Sequence, residues 1–140
     1  MNIISSLRDI ELYQRKPLVD AEVPDDMLKR KALERKAISI LLSPEKEKSQ
    51  ATPRQLDSGF NEVLARIAAK NKIALGININ ELRKDSLKQK AERMTRIKQN
   101  IVICRKAKVR LALKTDTPEA RFVLLSLAAS SQQAAEAQCF

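Results

Sequence analysis

The stretch Leu56–Ile79 reads LDSGFNEVLARIAAKNKIALGINI and decides the fold. Its first part, Asp57–Asn71, repeats apolar residues every three or four positions, which predicts an amphipathic helix. Its second part, Ile73–Ile79, is a short aliphatic run bounded by polar residues and is typical of a buried strand. A helix that leads directly into a buried strand is the repeating unit of a parallel α/β sheet.

The same alternation of helix and strand continues along the rest of the chain. The predicted strands are Leu18–Val23, Ala37–Leu42, Ile73–Ile79 and Val109–Thr115, and the predicted helices are Ser5–Lys16, Asp25–Lys36, Asp57–Asn71, Ser86–Lys108 and Thr117–Ser131. A closed (β/α) barrel needs eight strands. We therefore predict an α/β fold with parallel (β/α) units of an incomplete TIM-barrel-like sheet, in a single domain over 1–140. Within it, 43–54 is predicted to be a mobile surface loop and 132–140 a weakly helical C-terminal tail.

Charge and composition restrict the function classes. The 140 residues include 27 Lys and Arg against 17 Asp and Glu, giving a formal charge of +10, and no histidine. Such an excess attracts polyanions and favours a nucleic-acid partner. The lack of histidine removes Ser-His-Asp systems and the usual histidine metal sites. Two glycines in the whole chain exclude Gly-rich phosphate loops.

One catalytic alternative stays open on composition alone. Asp20, Glu22 and Asp116 lie near predicted strands and could form a magnesium site built of carboxylates. They form no compact motif, so ordinary solvated or capping carboxylates are the favoured interpretation and no protein-bound metal is predicted. No apolar run is long enough to span a bilayer. The two cysteines form no spaced motif, and a reducing cytoplasm without membrane contact is expected.

The segment 81–108 concentrates the positive charge. It holds ten basic and three acidic residues, a surplus of seven out of the formal +10. The apolar stripe of the predicted Ser86–Lys108 helix, which should point inward, consists of Leu87, Ala91, Met94, Ile97, Ile101 and Cys104. On a helical wheel Lys88, Arg96 and Gln99 lie away from this stripe, and Arg93 and Asn100 flank it. The outer face is therefore predicted to lie along phosphates of a structured RNA. The residues predicted to bind RNA are Arg54, Arg83, Lys84, Lys88, Lys90, Arg93, Arg96, Asn100 and Lys114.

Three stretches carry a resemblance to a known family. RKALERKAISILLSPE, LDSGFNEVLARIAAKNKIALGINI and ERMTRIKQNIVICRKAKVRLALKTD resemble ribonuclease P protein component 3, the barrel-type protein subunit of archaeal and eukaryotic ribonuclease P. The resemblance runs from about Leu18 to Ser131. Further strand–helix units precede the Ser5–Lys16 helix in that family, so this chain is N-terminally short by comparison. The residues that match the family's framework are Ser43, Pro44, Asp57, Ser58, Gly59, Asn61 and Asp116.

The resemblance implies a function. A subunit of this family takes part in removing the 5′ leader from precursor tRNA by binding the catalytic RNA, which does the chemistry and holds the magnesium. The implied partners are ribonuclease P RNA, precursor tRNA and other ribonuclease P protein subunits, with a homo- or hetero-oligomer left open. The protein itself would then carry no catalytic residue and bind no cofactor. The alternatives are a stand-alone RNA-binding or scaffold module and, less favoured, the carboxylate-based phosphoesterase.

Overall fold

A computed structural model of the chain describes residues 2–46, 58–115, 121–127 and 129–140. The described helices are α1 Leu7–Arg15, α2 Asp26–Glu34, α3 Glu62–Lys70, α4 Ile79–Lys84, α5 Leu87–Ala107, α6 Arg121–Ser126 and α7 Ser131–Glu136. The described strands are β1 Leu18–Ala21, β2 Ile38–Leu42, β3 Ala74–Asn78, β4 Leu111–Lys114 and β5 Gln138–Cys139.

The strands form one parallel sheet in the order β1-β2-β3-β4-β5. Every strand therefore pairs with the next one in the chain, as in the wall of a (β/α) barrel, and the predicted fold class is confirmed. All four predicted strands are present. The fifth was not predicted, because two residues at the end of the chain carry no apolar pattern. Near the start, Ile4 N donates to Glu22 O at 2.9 Å, so the first residues lie along the outer edge of β1.

The two faces of the sheet differ. The pairing register places Leu41, Leu75 and Leu111 on one face, where they belong to the main apolar core under the helices. Lys114 and Asp20 lie on the opposite face, and their Nζ and Oδ2 atoms are 3.7 Å apart. Two strands separate β1 from β4, which is about 14 Å in a flat sheet. The long Lys114 side chain and the short Asp20 side chain thus meet across a face that curves inward.

The long helix α5 confirms the predicted Ser86–Lys108 helix within a residue at each end. Its inward residues Ile97, Ile101 and Cys104 are buried as predicted. Leu87 and Ala91 were also predicted to point inward, and this is wrong, since both are exposed, Leu87 at 86%. The first buried residue of α5 is Arg93, so its first turn lies outside the core.

Two other helix boundaries differ from the prediction. The helix predicted from Asp57 begins at Glu62, because the Asn61 side chain accepts from Leu64 N at 2.9 Å and caps α3 there. The helix predicted over Thr117–Ser131 consists, in its described part, of α6 and the start of α7, and Ser130 caps α7 through a capping box. The predicted tail contains most of α7 and β5. Within the described ranges, no helix is long and apolar enough to cross a membrane.

Candidate functional site

Charged side chains collect where the strands end. The carboxyl ends of parallel strands share one edge of the sheet, and in barrel folds this edge carries the functional residues. Here it carries a group that we call the carboxyl-edge network. Its members follow β1, β2 and β3 in the chain, and they are Glu22, Glu45, Lys46, Glu81, Asp85 and Arg93.

Arg93 is the centre of the carboxyl-edge network. Its Nη2 donates to Glu45 Oε1 at 3.0 Å, and its Nη1 donates to Asp85 Oδ2 at 2.8 Å and lies 3.5 Å from Glu81 Oε1. The Glu45 side chain is only 1% exposed. Burial raises the pKa of Glu45, and the adjacent guanidinium of Arg93 opposes part of that rise. Arg93 therefore fastens the segment after β2 to α5.

Lys46 is the second cation of the network. Its Nζ lies 2.7 Å from Glu81 Oε1 and 3.3 Å from Glu22 Oε1. Since Glu22 follows β1, Lys46 follows β2 and Glu81 follows β3, these two ion pairs connect the segments after the three strands. Of the carboxylates considered for magnesium, Glu22 thus pairs with Lys46, Asp20 pairs with Lys114, and Asp116 lies outside the described residues. Across the described ranges, no three His, Cys, Asp or Glu side chains are grouped to hold a metal ion.

The framework residues of the family motif pack against each other. Gly59 has a φ of +74°, and a Cβ atom there would overlap the Pro44 carbonyl oxygen. The same turn is held from two helices: Lys29 Nζ donates to Gly59 O at 2.7 Å, and Asn100 Nδ2 donates to Ser58 O at 3.2 Å. A side chain at Gly59 is therefore excluded both by backbone conformation and by space.

Ser43 and Pro44 are the framework residues that directly follow β2. Ser43 is buried with a φ of +48°, and its Oγ has no hydrogen-bond partner in the described part of the chain. Ser43 and Pro44 are buried, so the predicted mobile surface loop does not begin at 43. The remainder of that loop, 47–54, lies outside the described residues, as do Asp57 and Asp116.

Six of the nine residues predicted to bind RNA fall into two groups. Arg83, Lys84 and Lys88 are exposed where α4 meets α5, and we call them the α4–α5 corner. Arg93 and Arg96 are each 7% exposed and Asn100 is 1% exposed. The expectation that Arg96 faces away from the core is wrong, because this part of α5 packs under the segments after β2 and before α3. RNA binding by these three residues stays a prediction.

Three further predicted residues lie elsewhere. Lys90 is half-buried on α5, and Lys114 is half-buried beside Asp20 on the concave face. Arg54 lies outside the described residues. The predicted set is therefore not one continuous surface in the described structure.

Sequence reasoning missed two buried charges, Lys29 and Glu45. In the sequence Lys29 belongs to a second basic run, which together with the segment 81–108 favours RNA, and Glu45 belongs to a polar loop. A signal existed for Lys29, since it precedes Ala32 and Leu33 by three and four residues and so shares their buried helix face. Glu45 offers no such signal, because its partner Arg93 is 48 residues away in the chain.

Comparisons with known proteins agree with the resemblance found in the sequence. No protein-family model matches the chain. A curated protein, ribonuclease P protein component 3 of Methanosarcina mazei, is 33% identical over 91 residues, which are 65% of this chain and 35% of that relative. This chain thus spans about a third of the relative's length in the matched region. The predicted resemblance to ribonuclease P protein component 3 is confirmed.

A solved structure has the same fold. One chain of a cryo-EM structure of archaeal ribonuclease P with mature tRNA superposes with a TM-score of 0.76 at 24% identity. The superposition covers 96% of this chain and 61% of that chain. Five strands are about the same fraction of an eight-stranded barrel, which agrees with an incomplete barrel wall.

Proposed function

We propose that this chain acts as a protein subunit of ribonuclease P that binds the catalytic RNA and supports removal of the 5′ leader from precursor tRNA. The observation that carries the proposal is the 33% identity to ribonuclease P protein component 3. Partners under this proposal are the catalytic RNA, precursor tRNA and other protein subunits. Two free cysteines suit a reducing cytoplasm, where we place the protein.

The α4–α5 corner is the part of the predicted surface best suited to RNA phosphates. Arg83, Lys84 and Lys88 are exposed at the junction of two helices, and flexible cations there can reach a phosphate backbone. Arg93 instead has carboxylates at 2.8 and 3.0 Å, so we assign it to holding α5 in place beneath the corner.

The chemistry belongs to the RNA in this proposal. The described carboxylates at the carboxyl edge of the sheet are engaged by Lys46 and Arg93, an arrangement that supports a structural role. Magnesium would be held by the RNA. The protein would contribute orientation and charge neutralisation, which stabilise the folded RNA without base specificity.

Reconstitution tests the proposal. Cleavage of precursor tRNA by the Methanosarcina mazei ribonuclease P RNA is measured with its other protein subunits, with and without this chain. Addition of the chain should raise the cleavage rate, while the chain alone should leave precursor tRNA intact. No stimulation, together with no binding to the RNA, would refute the proposal. Cleavage by the isolated chain would support the phosphoesterase instead.

Matched variants locate the interface. Changing Lys84 and Lys88 to alanine removes two exposed charges at the corner, and changing Arg8 and Arg66 to alanine removes two exposed charges from α1 and α3. The corner variant should lower the slope of log affinity against log salt by about 1 to 2, while the control stays near the wild-type value. Equal slopes in the two variants would remove the corner from the interface.

A further inference from the structure

Three lysines adopt a backbone conformation that normally belongs to glycine. Lys36, Lys72 and Lys108 have φ values of 54°, 57° and 62°. Lys36 and Lys72 lie two residues after the ends of α2 and α3, and Lys108 lies one residue after the end of α5. Each comes two or three residues before the next strand. The three residues therefore occupy equivalent positions in three successive helix-to-strand loops. These loops line the amino edge of the sheet, opposite the carboxyl-edge network.

Each loop has the hydrogen bond that usually accompanies a glycine at the C-terminal end of a helix. In each, a backbone N–H just after the helix bonds back to a carbonyl of its last turn, which is the pattern of a helix that ends in a left-handed residue. A non-glycine residue in this conformation costs about 1–2 kcal/mol. The bonds are Ala37 N to Ala32 O at 3.0 Å, Ile73 N to Ala68 O at 2.8 Å and Val109 N to Cys104 O at 2.9 Å.

Two of the three lysines line a cleft that has no acidic residue among those lining it. Lys72, Lys108 and Arg110 line a cleft of about 260 Å³ whose other polar side chains are those of Ser39 and Gln138. Lys36, Lys72, Lys108 and Arg110 are exposed, and none has a side-chain hydrogen bond or ion pair among the described residues. We call these four residues the amino-edge row.

The spacing of the row is fixed by the fold. Each loop joins the end of a helix to the start of a strand, and neighbouring helices lie about 10 Å apart while neighbouring strands lie about 5 Å apart. The Asn71 side chain donates to Leu33 O at 2.7 Å, which ties the loop of Lys72 to the end of the helix before Lys36. A row of cations on rigid loops suits a ligand with regularly repeated negative charges.

A simpler explanation is that each lysine stabilises the negative end of its helix. Lysines in the last helical turn give that benefit without left-handed strain, and Lys70 and Lys106, two residues before Lys72 and Lys108, already lie there. Stabilisation of the helix ends therefore does not account for a strained cation at each of three equivalent positions, and binding of an anionic ligand does. We propose that the amino-edge row is a second surface for the phosphate backbone of the RNA, which rests on the proposed function.

Glycine substitution separates binding from stability at these positions. The variant K36G/K72G/K108G relieves the left-handed strain while it removes three charges. We expect its affinity for the Methanosarcina mazei ribonuclease P RNA to fall on the order of 10²-fold at 0.1 M salt, with a salt slope lower by about 2 to 3. Its urea unfolding midpoint should be no lower than that of the wild type. The matched control R8A/R66A/K98A removes three exposed helix charges and should keep most of the affinity.

A second variant tests whether charge is the cause. K36R/K72R/K108R keeps the cations and the backbone strain, so it should bind with the wild-type salt slope. Equal affinity of wild type and glycine variant overturns the inference, as does an equal loss in the arginine variant. Displacement of the RNA by polyglutamate at equal charge concentration also overturns it, because the row would then serve an acidic protein. If the wild type itself does not bind the RNA, the proposed function fails as well.

Discussion

Replacing Arg93 by methionine should destabilise the fold strongly, because it leaves the Glu45 carboxylate buried without its cation. Methionine fills much of the same space, so the loss is mainly electrostatic. Removing one partner of a buried ion pair costs about 3–5 kcal/mol. Asp85 and Glu81 are 17% and 23% exposed, so water can solvate them and they add little to this cost. A domain with a stability of about 5–15 kcal/mol should still fold without denaturant.

A double-mutant cycle isolates the Arg93–Glu45 pair. E45Q alone should cost less than R93M, and E45Q/R93M should recover about 2 kcal/mol relative to the sum of the single costs. Urea unfolding followed by far-ultraviolet circular dichroism suits a chain with no tryptophan and one tyrosine. Additive costs within about 0.5 kcal/mol would refute the pairing. The folded double variant should bind RNA with the wild-type salt slope, whereas a lower slope would show that Arg93 contacts phosphate.

The pH dependence gives an independent check of the same pair. Because burial raises the pKa of Glu45 above its ordinary value of 4.5, the folded protein binds this proton more readily than the unfolded chain does. The stability of the wild type relative to E45Q should therefore increase as the pH is lowered through that raised pKa, and decrease again as the pH rises. The shift should be larger in the R93M background, where no guanidinium opposes it. A difference that does not change with pH would contradict the assigned burial.

Two further predictions concern other buried positions. Gly59→Ala should cost about 2–5 kcal/mol, the sum of left-handed strain and overlap with the Pro44 backbone. Gly76→Ala, whose new methyl would meet the Ile40 side chain at 2.7 Å, should cost less because a side chain can move, and equal costs in urea unfolding would contradict this. Burial raises the pKa of Cys104 to about 12, so in a C139S variant a thiol reagent at pH 8 should label Cys104 only after unfolding. Labelling of the native variant at the rate of a free thiol would contradict the burial.

The sequence predicted the parts of the fold that rest on local patterns. Leu18–Ala21 and Ala74–Asn78 lie within predicted strands, because a short aliphatic run near turn-forming residues is typical of a buried strand. The start of α3 was predicted too early. Asp and Asn are both good N-cap residues, so the sequence allows a helix start after Asp57 or after Asn61. The contact of Gly59 with the Pro44 backbone lies between these two positions and favours the later start. Local pattern cannot show which of two acceptable caps a neighbouring loop permits.

The candidate site was predicted less well for the same reason. A helical wheel places Arg96 away from the apolar stripe and Arg93 at its flank, because the wheel contains only their own helix. Their burial depends on segments that arrive from elsewhere, such as Glu45 for Arg93. The left-handed conformation of Lys72 has no sequence signal either, since glycine or asparagine would be expected there.

The carboxyl-edge network also shapes how the molecule meets a charged partner before contact. Its four carboxylates and two cations give 2 − 4 = −2, which offsets most of the +3 of the neighbouring α4–α5 corner and leaves +1. The amino-edge row keeps its full +4. At distances approaching the Debye length, about 10 Å at 0.1 M salt, a partner responds to the summed charge of each group rather than to single side chains, and farther away the field is largely screened. If both surfaces bind RNA as proposed, we expect a diffusing polyanion to be drawn first toward the amino edge of the sheet, with the corner acting at short range after the encounter.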